Sequence, residues 1–284
     1  MKVRDVTRSD VEAALHAIAQ GKTSRTAKTK PRGVSRIKGG RGAATRTVGL
    51  LGGGIMSYAV SCGLSDANPC AKVRKFAEQR RDRRLSDDEF RALATGLRKA
   101  SGSGTWPPAV NALRFLALTG WRRGEALALR WRDVDLVRRV AFLSDTKTGN
   151  RVRPLSRSAI DILRLVPRTM DEALVFPASR PGVVMSGFRR PARRIIAAAG
   201  LPSDVTPHVL RHSFASVAND LQYSDATIGM MIGHKGKPTT TSRYQNGADA
   251  VLVAAADAVA DKILELMGEP KSASNVIELR KSVN

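Results

Sequence analysis

Apolar residues recur at helical spacing through most of the chain. In the segment Asp10–Gln20 the apolar positions fall on one helical face, and Ser9 is a suitable N-cap. A second helix is predicted from Thr45 to Cys62, although three consecutive glycines weaken it. The same periodicity predicts further helices at residues 156–165, 186–199, 207–221, 225–232 and 248–267. The pattern therefore predicts a mainly α-helical protein.

Two helix starts are marked by specific residues. Ser86 is followed three residues later by Glu89, which is the spacing of a capping box. Pro107 suits the first turn of a helix that continues to Thr119, because its missing N–H would have no partner there. A short helix is expected to follow at residues 124–130.

One β-hairpin interrupts the helical pattern. The segments Val140–Leu143 and Arg151–Leu155 flank the sequence Lys147-Thr148-Gly149-Asn150, which is typical of a glycine-containing turn between two strands. The predicted fold class is therefore α+β: mainly α, with a small β-hairpin or sheet.

The net positive charge of the chain indicates a polyanionic partner. The 284 residues include 48 Lys and Arg against 25 Asp and Glu, a formal net charge of +23. Hydrophobic residues make up 42% of the chain, enough for a buried core, so a wholly disordered basic chain is excluded. The sequence has no apolar run long enough to span a membrane, no signal peptide and only two cysteines. We expect a cytoplasmic protein that binds nucleic acid.

The charge is densest in the segment Gly21–Arg46, which has nine basic residues and no acidic one. Its glycines and its proline predict a loop, either one that follows the DNA backbone or a basic loop with no specific role. The candidate DNA-binding residues of this loop are Lys28, Lys30, Arg32, Arg36, Lys38, Arg41 and Arg46.

The length predicts two domains or one large one, at about 100–200 residues per domain. The charged stretch Arg80–Arg84 marks the boundary. The expected organisation is a short helical DNA-binding domain at residues 1–80, a second domain at 81–267 and a C-terminal tail at 268–284.

Histidine and arginine cluster in the segment His208–His212. His208, Arg211 and His212 are spaced i, i+3 and i+4, so they share one face of a helix. Zinc binding is disfavoured because there is no H-E-x-x-H motif and no nearby cysteine. The guanidinium of Arg211 instead suits phosphate oxygens, and the imidazoles can transfer protons.

A second arginine lies at a predicted break between helices. In the sequence Thr119-Gly120-Trp121-Arg122-Arg123-Gly124-Glu125, Glu125 follows Arg122 by three residues and could orient it. The alternative is an exposed surface pair of little consequence.

A candidate nucleophile follows further along the chain. Gly233-His234 leads into a polar segment that contains Tyr244. A phenol becomes a usable nucleophile when nearby cations lower its effective pKa and a base accepts its proton.

Taken in order, these segments resemble the catalytic signature of the tyrosine recombinase, or phage integrase, family. The motif T-G-x-R-x-x-E, a T-K-T-G turn, the box H-x-L-R-H, and a Gly-His before a tyrosine are matched by Thr119–Glu125, Thr146–Gly149, His208–His212, Gly233-His234 and Tyr244. The resemblance implies a tyrosine-recombinase catalytic domain preceded by a short helical core-binding domain.

The resemblance also implies how the phosphate is attacked. Tyr244 would attack the scissile phosphate and form a 3′-phosphotyrosyl link. Arg122 and Arg211 would hold the non-bridging oxygens, and His234 would add a hydrogen bond to the same phosphate. The reaction would need no metal, cofactor or ATP.

Proton transfer and support would fall to four further residues. Lys147 would protonate the departing 5′-oxygen, and His208 would accept the tyrosine proton. Glu125 would orient Arg122 without contacting the phosphate, and His212 would be structural or a neighbour of the phosphate.

Two features depart from the family pattern. His234 and Tyr244 are ten residues apart where family members usually show nine, and Lys235–Pro238 would absorb the extra residue. The N-terminal half is short, so the first helices of the core-binding domain and an arm-binding domain are expected to be absent.

The expected partner is double-stranded DNA with a specific core site, bound by four protomers, together with accessory directionality or bending proteins. Two other functions stay open: a type IB topoisomerase-like enzyme, and a non-catalytic or truncated integrase-derived DNA-binding protein. The helix Ala248–Met267 would pack either against a neighbouring protomer or against its own core.

Overall fold

The structure is a computed structural model of the full chain. It describes residues 2–29, 33–77, 83–143, 151–168, 170, 173–180, 182–233 and 250–271. The chain divides into two compact units, Met1–Arg81 and Asp82–Asn284, which are described separately below. In the described part of the chain, no helix has the length and apolar character needed to cross a bilayer.

The first unit combines helices with a small hairpin. After a 3₁₀ turn at Val3–Asp5, its elements are α1 (Arg8–Ala19), β1 (Arg25–Thr29), β2 (Gly33–Ile37), α2 (Arg41–Leu50), a π-helical segment (Leu51–Met56) and α3 (Ser57–Ser61). The cap of α1 is Thr7 and not the predicted Ser9, because Thr7 and Asp10 form a capping box.

The prediction of a loop at residues 21–46 is wrong. The strands β1 and β2 pair antiparallel, with Lys28 opposite Val34 and Thr26 opposite Arg36. The β-branched residues of both strands favour β-structure. Basic residues are interspersed among them, so a prediction based on charge and glycine content misses the strands. The following helix also begins earlier than predicted, at Arg41 instead of Thr45.

The core of the first unit is small. It is formed where α1 packs against α2, and its buried residues are Val11, Leu15, Ala44, Val48, Met56, Cys70 and Val73. The three glycines that were expected to weaken the second helix lie in the π-helical segment, where Gly52 approaches the side chain of Cys70. This close approach explains why a residue without Cβ is needed there.

The second unit is a helical bundle with a three-stranded sheet. Its helices are α4 (Asp87–Gly102), α5 (Pro107–Thr119), α6 (Arg123–Ala128), α7 (Arg157–Arg164), α8 (Arg189–Ala198), α9 (Pro207–Asp220), α10 (Asp225–Ile232) and α11 (Ala250–Leu266). Its strands are β3 (Val134–Asp135), β4 (Val140–Leu143) and β5 (Arg151–Pro154), and 3₁₀ turns lie at Trp131–Asp133 and Ser186–Phe188. The fold is mainly α with a small sheet, as predicted.

Helix α5 lies at the centre of this unit. It is buried over most of its surface and contacts α4, α7, α8, α9 and α11. Its start at Pro107 and the capping box of Ser86 and Glu89 on α4 agree with the sequence. This central helix ends at Thr119 and is capped by Gly120, two residues before Arg122.

The sheet has the order β3-β4-β5 and is antiparallel throughout. The two strands predicted for the hairpin are confirmed as β4 and β5, paired from Val140 opposite Pro154 to Leu143 opposite Arg151. The short strand β3 was not predicted, because two residues carry too little periodicity to be recognised.

Helix α11 packs against its own core. It contacts α4, α5, α7, α9 and α10, and its apolar face is buried from Val253 to Met267. Its buried Asp257 accepts hydrogen bonds from the Arg139 side chain at 2.8 Å and from the Arg157 backbone N–H at 2.7 Å. Of the two expectations for this helix, the structure therefore favours packing within the chain.

Candidate active site

Arg122 stands at the turn between α5 and α6. It is the N-cap of α6 and follows Gly120, which ends α5 with a left-handed backbone, and the buried Trp121. Its side chain is 43% exposed, and Nη1 donates to the carbonyl of Gly233 at 2.7 Å. The guanidinium is therefore anchored at one nitrogen and still accessible.

Glu125 lies one turn later and contacts Arg122 directly. Its Oε1 accepts from Arg122 Nη1 at 2.8 Å, which is the contact that the i, i+3 spacing suggested. The Glu125 side chain is only 11% exposed. Because water screens a buried carboxylate poorly, this pair differs from the exposed surface pair that the sequence left open.

Arg211 is buried on α9, at 6% exposure. Nη1 donates to the carbonyls of Gly120 at 2.8 Å and Ile232 at 2.5 Å, whereas the buried Nη2 has no hydrogen-bond partner among the described residues. Burial, then the charge of Arg122, lowers the pKa of Arg211 to about 10. Arg211 is therefore a cation at neutral pH, in surroundings that favour a nearby anion.

The two arginines meet at one helix end. Arg211 holds the carbonyl of Ile232 and Arg122 holds the next carbonyl, that of Gly233. Gly233 ends α10 with φ +74°, a left-handed conformation that orients these last carbonyls. Residues that are far apart in sequence thus become neighbours through backbone acceptors.

His208 and His212 lie one turn apart on the exposed side of α9. Their Nε2 atoms are 3.0 Å apart, and the ring planes are inclined by 81°. Because one ring must donate and the other accept, at least one of them is neutral. Partial desolvation, followed by the charges of His212 and Arg211, lowers the pKa of His208. A neutral His208 is able to accept a proton.

Arg153 is part of this cluster and was missed by the sequence reasoning. It lies on β5 at 1% exposure, and its Nη2 is 3.5 Å from Glu125 Oε1. The sequence Arg151-Val152-Arg153 alternates polar and apolar residues, which predicts that Arg153 faces solvent, so no local signal in the sequence pointed to its burial.

Three predicted catalytic residues, Lys147, His234 and Tyr244, lie outside the described residues. The strands on either side of the Lys147 segment are described, ending at Leu143 and resuming at Arg151. Gly233 is the last described residue before His234. Among the described residues, the structure brings together Arg122, Glu125 and Arg211, and it places His208 and His212 beside Arg211 on α9.

The predicted DNA-binding residues belong to the first unit. Five of them, Lys28, Arg36, Lys38, Arg41 and Arg46, are described, and all five are exposed. Lys28 and Arg36 lie on the same face of the hairpin, and the Arg41 guanidinium lies 5.5 Å from the centre of the Phe76 ring. Lys30 and Arg32 lie outside the described residues.

A second basic surface lies on α8 and was not singled out from the sequence. Arg189, Arg190, Arg193 and Arg194 are exposed, and within the described ranges their side chains form no ion pair or hydrogen bond. Arg190 and Arg194 line a groove of about 710 Å³ together with Trp106. Two arginine doublets at i, i+4 spacing are the signal that could have identified this surface.

A model of the phage integrase family matches residues 83–250, which is more than half of the chain. The chain belongs to the phage integrase family. The match begins one residue after the start of the second unit and includes every described residue of the candidate site.

Two curated relatives of this integrase-family chain are recombinases. The shufflon-specific DNA recombinase of Escherichia coli is 36% identical over 160 residues, covering 55% of this chain and 38% of the relative. The tyrosine recombinase XerC of Rhizobium meliloti (strain 1021) is 31% identical over 221 residues, covering 72% of this chain and 67% of the relative. The chain thus matches well under half of the shufflon recombinase's length.

A solved structure gives the same fold. A lambda integrase tetramer bound to a Holliday junction matches with a TM-score of 0.57 and 22% identity, covering 82% of this chain and 65% of that chain. At this level of identity the likeness concerns the fold alone.

Proposed function

We propose that this integrase-family chain is a site-specific DNA recombinase that cuts and rejoins DNA through a 3′-phosphotyrosyl intermediate. The observation that carries the proposal is the meeting of Arg122 and Arg211 on consecutive carbonyls at the end of α10. Two fixed cations at one point suit the developing charge of a phosphoryl transfer. The relatives named as recombinases support the same activity.

Arg122 and Arg211 would contact the phosphate differently, because one is exposed and the other is buried. Arg122, at 43% exposure, can reach a phosphate directly. Arg211 has a buried Nη2 without a partner among the described residues, and a phosphate oxygen would satisfy that donor. An anion would also offset the repulsion between the two cations, which contributes to the lowered pKa of Arg211.

The covalent step then balances as follows. The Oη of Tyr244 attacks phosphorus, and the bond from phosphorus to the 5′-oxygen breaks. Lys147 gives a proton to the departing 5′-oxygen, and His208 accepts the tyrosine proton because its lowered pKa keeps it neutral. His234 adds a hydrogen bond to the phosphate. Rejoining is the reverse reaction, so the phosphodiester energy is kept in the tyrosyl link.

Double-stranded DNA is the proposed substrate, with two basic surfaces available to it. These are the hairpin face with Lys28 and Arg36 and the arginine face of α8. Their exposed cations would neutralise phosphates without reading sequence. By analogy with lambda integrase, whose tetramer binds a Holliday junction, four protomers would act on two sites. Accessory directionality or bending proteins and a location on the cytoplasmic nucleoid belong to the same proposal.

A nicked substrate tests the activity. Cleavage near a nick releases a short strand, so the covalent adduct accumulates and can be captured under denaturing conditions. A random library of nicked duplexes supplies the unknown core site, and the DNA in the adducts is then sequenced. We expect an adduct with the wild-type chain and with Tyr58→Phe, which removes an exposed phenol, but none with Tyr244→Phe.

Three results would overturn the proposal. Binding of DNA without any adduct would indicate a non-catalytic DNA-binding protein. An adduct that persists in Tyr244→Phe would assign the nucleophile elsewhere. Relaxation of a supercoiled plasmid by single protomers, without exchange between captured sites, would indicate a topoisomerase-like enzyme.

A further inference from the structure

The buried cation Arg153 is not needed for the reaction as proposed above. It lies on β5 and is 1% exposed, so it cannot contact DNA directly. Arginine is rarely buried without a compensating contact, because removing its charge from water costs free energy. Its position therefore calls for a role inside the protein.

Arg153 contacts two of the elements that form the site. Its Nη2 lies 3.5 Å from Glu125 Oε1, the same oxygen that holds Arg122. Gly233 packs directly against its guanidinium. A Cβ built on Gly233 would lie 2.8 Å from Arg153 Nε and closer still to two other guanidinium atoms. The glycine thus leaves room for a flat, charged group.

These contacts join three separate segments. The strand β5 continues from the segment that carries Lys147, α6 carries Glu125 behind Arg122, and Gly233 immediately precedes His234. From this junction we infer that Arg153 is a positioning residue of the cleavage centre, acting through Glu125 and the Gly233 turn. The inference rests on the proposed function and adds to it a residue that touches neither DNA nor the reacting atoms.

The chemistry of arginine fits this position better than that of other residues. A planar guanidinium offers several fixed donors at its edge and a flat face for the Gly233 backbone. Lysine would keep the charge but not the flat face, and methionine would fill similar volume with neither. A purely structural arginine would, when replaced alone, lower the stability of the fold and leave the rate constant of the folded fraction unchanged, so the two roles make different predictions.

The experiment measures single-turnover cleavage of the captured nicked core site by the full chain. The rate constant at saturating DNA reports the geometry of the centre, the amplitude reports the folded fraction, and a titration gives Kd. The variants are Arg153→Met and Arg153→Lys. The matched control is Arg139→Met, which removes another arginine paired with a buried carboxylate, Asp257, outside this cluster.

We expect Arg153→Met to lower the rate constant about 10–100-fold, as a misplacement of about 1 Å can, with Kd changed less than about threefold. Arg153→Lys should give a smaller loss in the same rate constant. The control should lower the amplitude or the unfolding midpoint and leave the rate constant unchanged.

Two results would overturn the inference. A normal rate constant with reduced amplitude in Arg153→Met would make the residue merely structural. If that variant does not fold, an unaltered rate constant in Arg153→Lys would have the same meaning. Absence of any adduct with the wild-type chain would instead overturn the proposed function, and the inference with it.

Discussion

The contact between Gly233 and Arg153 makes one substitution unusually informative. In Gly233→Ala the new methyl group meets two obstacles. The backbone has φ +74°, which costs a residue with Cβ about 1–2 kcal/mol. The Cβ would also overlap the Arg153 guanidinium, and overpacking of this kind costs about 1–3 kcal/mol. We therefore expect a loss of about 2–5 kcal/mol in the free energy of unfolding.

Gly200→Ala separates the two contributions. Gly200 has φ +72°, but a Cβ there would meet nothing within 4 Å. This control therefore carries only the backbone cost of about 1–2 kcal/mol. The difference between the two variants measures the overlap with Arg153.

Tryptophan fluorescence is a suitable assay because Trp106, Trp121 and Trp131 all lie in the second unit, two of them buried. Urea unfolding followed at this signal gives the free energies, and each kcal/mol should lower Tm by about 2–4 °C in a unit of this size. Equal losses in the two variants would refute the packing of Gly233 on Arg153.

Three further predictions concern charge. In a proton NMR titration, the pKa of His208 should lie below the usual 6.5, and His212→Ala should raise it. The contribution of His208 to the free energy of unfolding should fall as the pH drops below 6.5, because the unfolded chain binds the proton more tightly. An unchanged His208 midpoint in that variant would contradict the pairing of the rings. Asp257→Asn should cost about 1.5–3 kcal/mol in urea unfolding, because its buried carboxylate accepts hydrogen bonds from two partly buried partners, Arg139 and Arg157. The exposed Asp161→Asn should cost about 1 kcal/mol or less, and similar losses would refute the distinction. Arg193→Ala should reduce the slope of log K against log salt for DNA binding by about 0.9, and an unchanged slope would remove α8 from the interface.

Local signals predicted the elements that are defined by neighbouring residues. The capping box at Ser86 and the proline at Pro107 fix helix starts within a few residues, so α4 and α5 follow from the sequence. The pair of Arg122 and Glu125 was visible for the same reason, since both lie on one turn. The hairpin at residues 25–37 was missed because its strands are short and basic, and pairing between them is not a local property.

The cluster around Arg153 could not be predicted from the sequence. Its contacts reach Glu125 and Gly233, residues that only the folded chain brings near. The same holds for Arg211, whose carbonyl partners at Gly120 and Ile232 lie at the C-terminal ends of two other helices, α5 and α10. A motif identifies which side chains take part, but burial and backbone acceptors come from tertiary packing.

Arg122 and Arg211 are held by backbone carbonyls, and this affects which substitutions the site can accept. Every residue carries a carbonyl, so no side-chain substitution at position 232 can delete the acceptor of Arg211. The position of each acceptor depends instead on the backbone dihedral angles. Two of the acceptors are the carbonyls of Gly120 and Gly233, whose backbones are left-handed. We expect side chains around the arginines to be replaceable in a library selected for activity, with these two glycines among the least replaceable positions. Selection for activity would then act mainly on the backbone of two turns, those at Gly120 and Gly233.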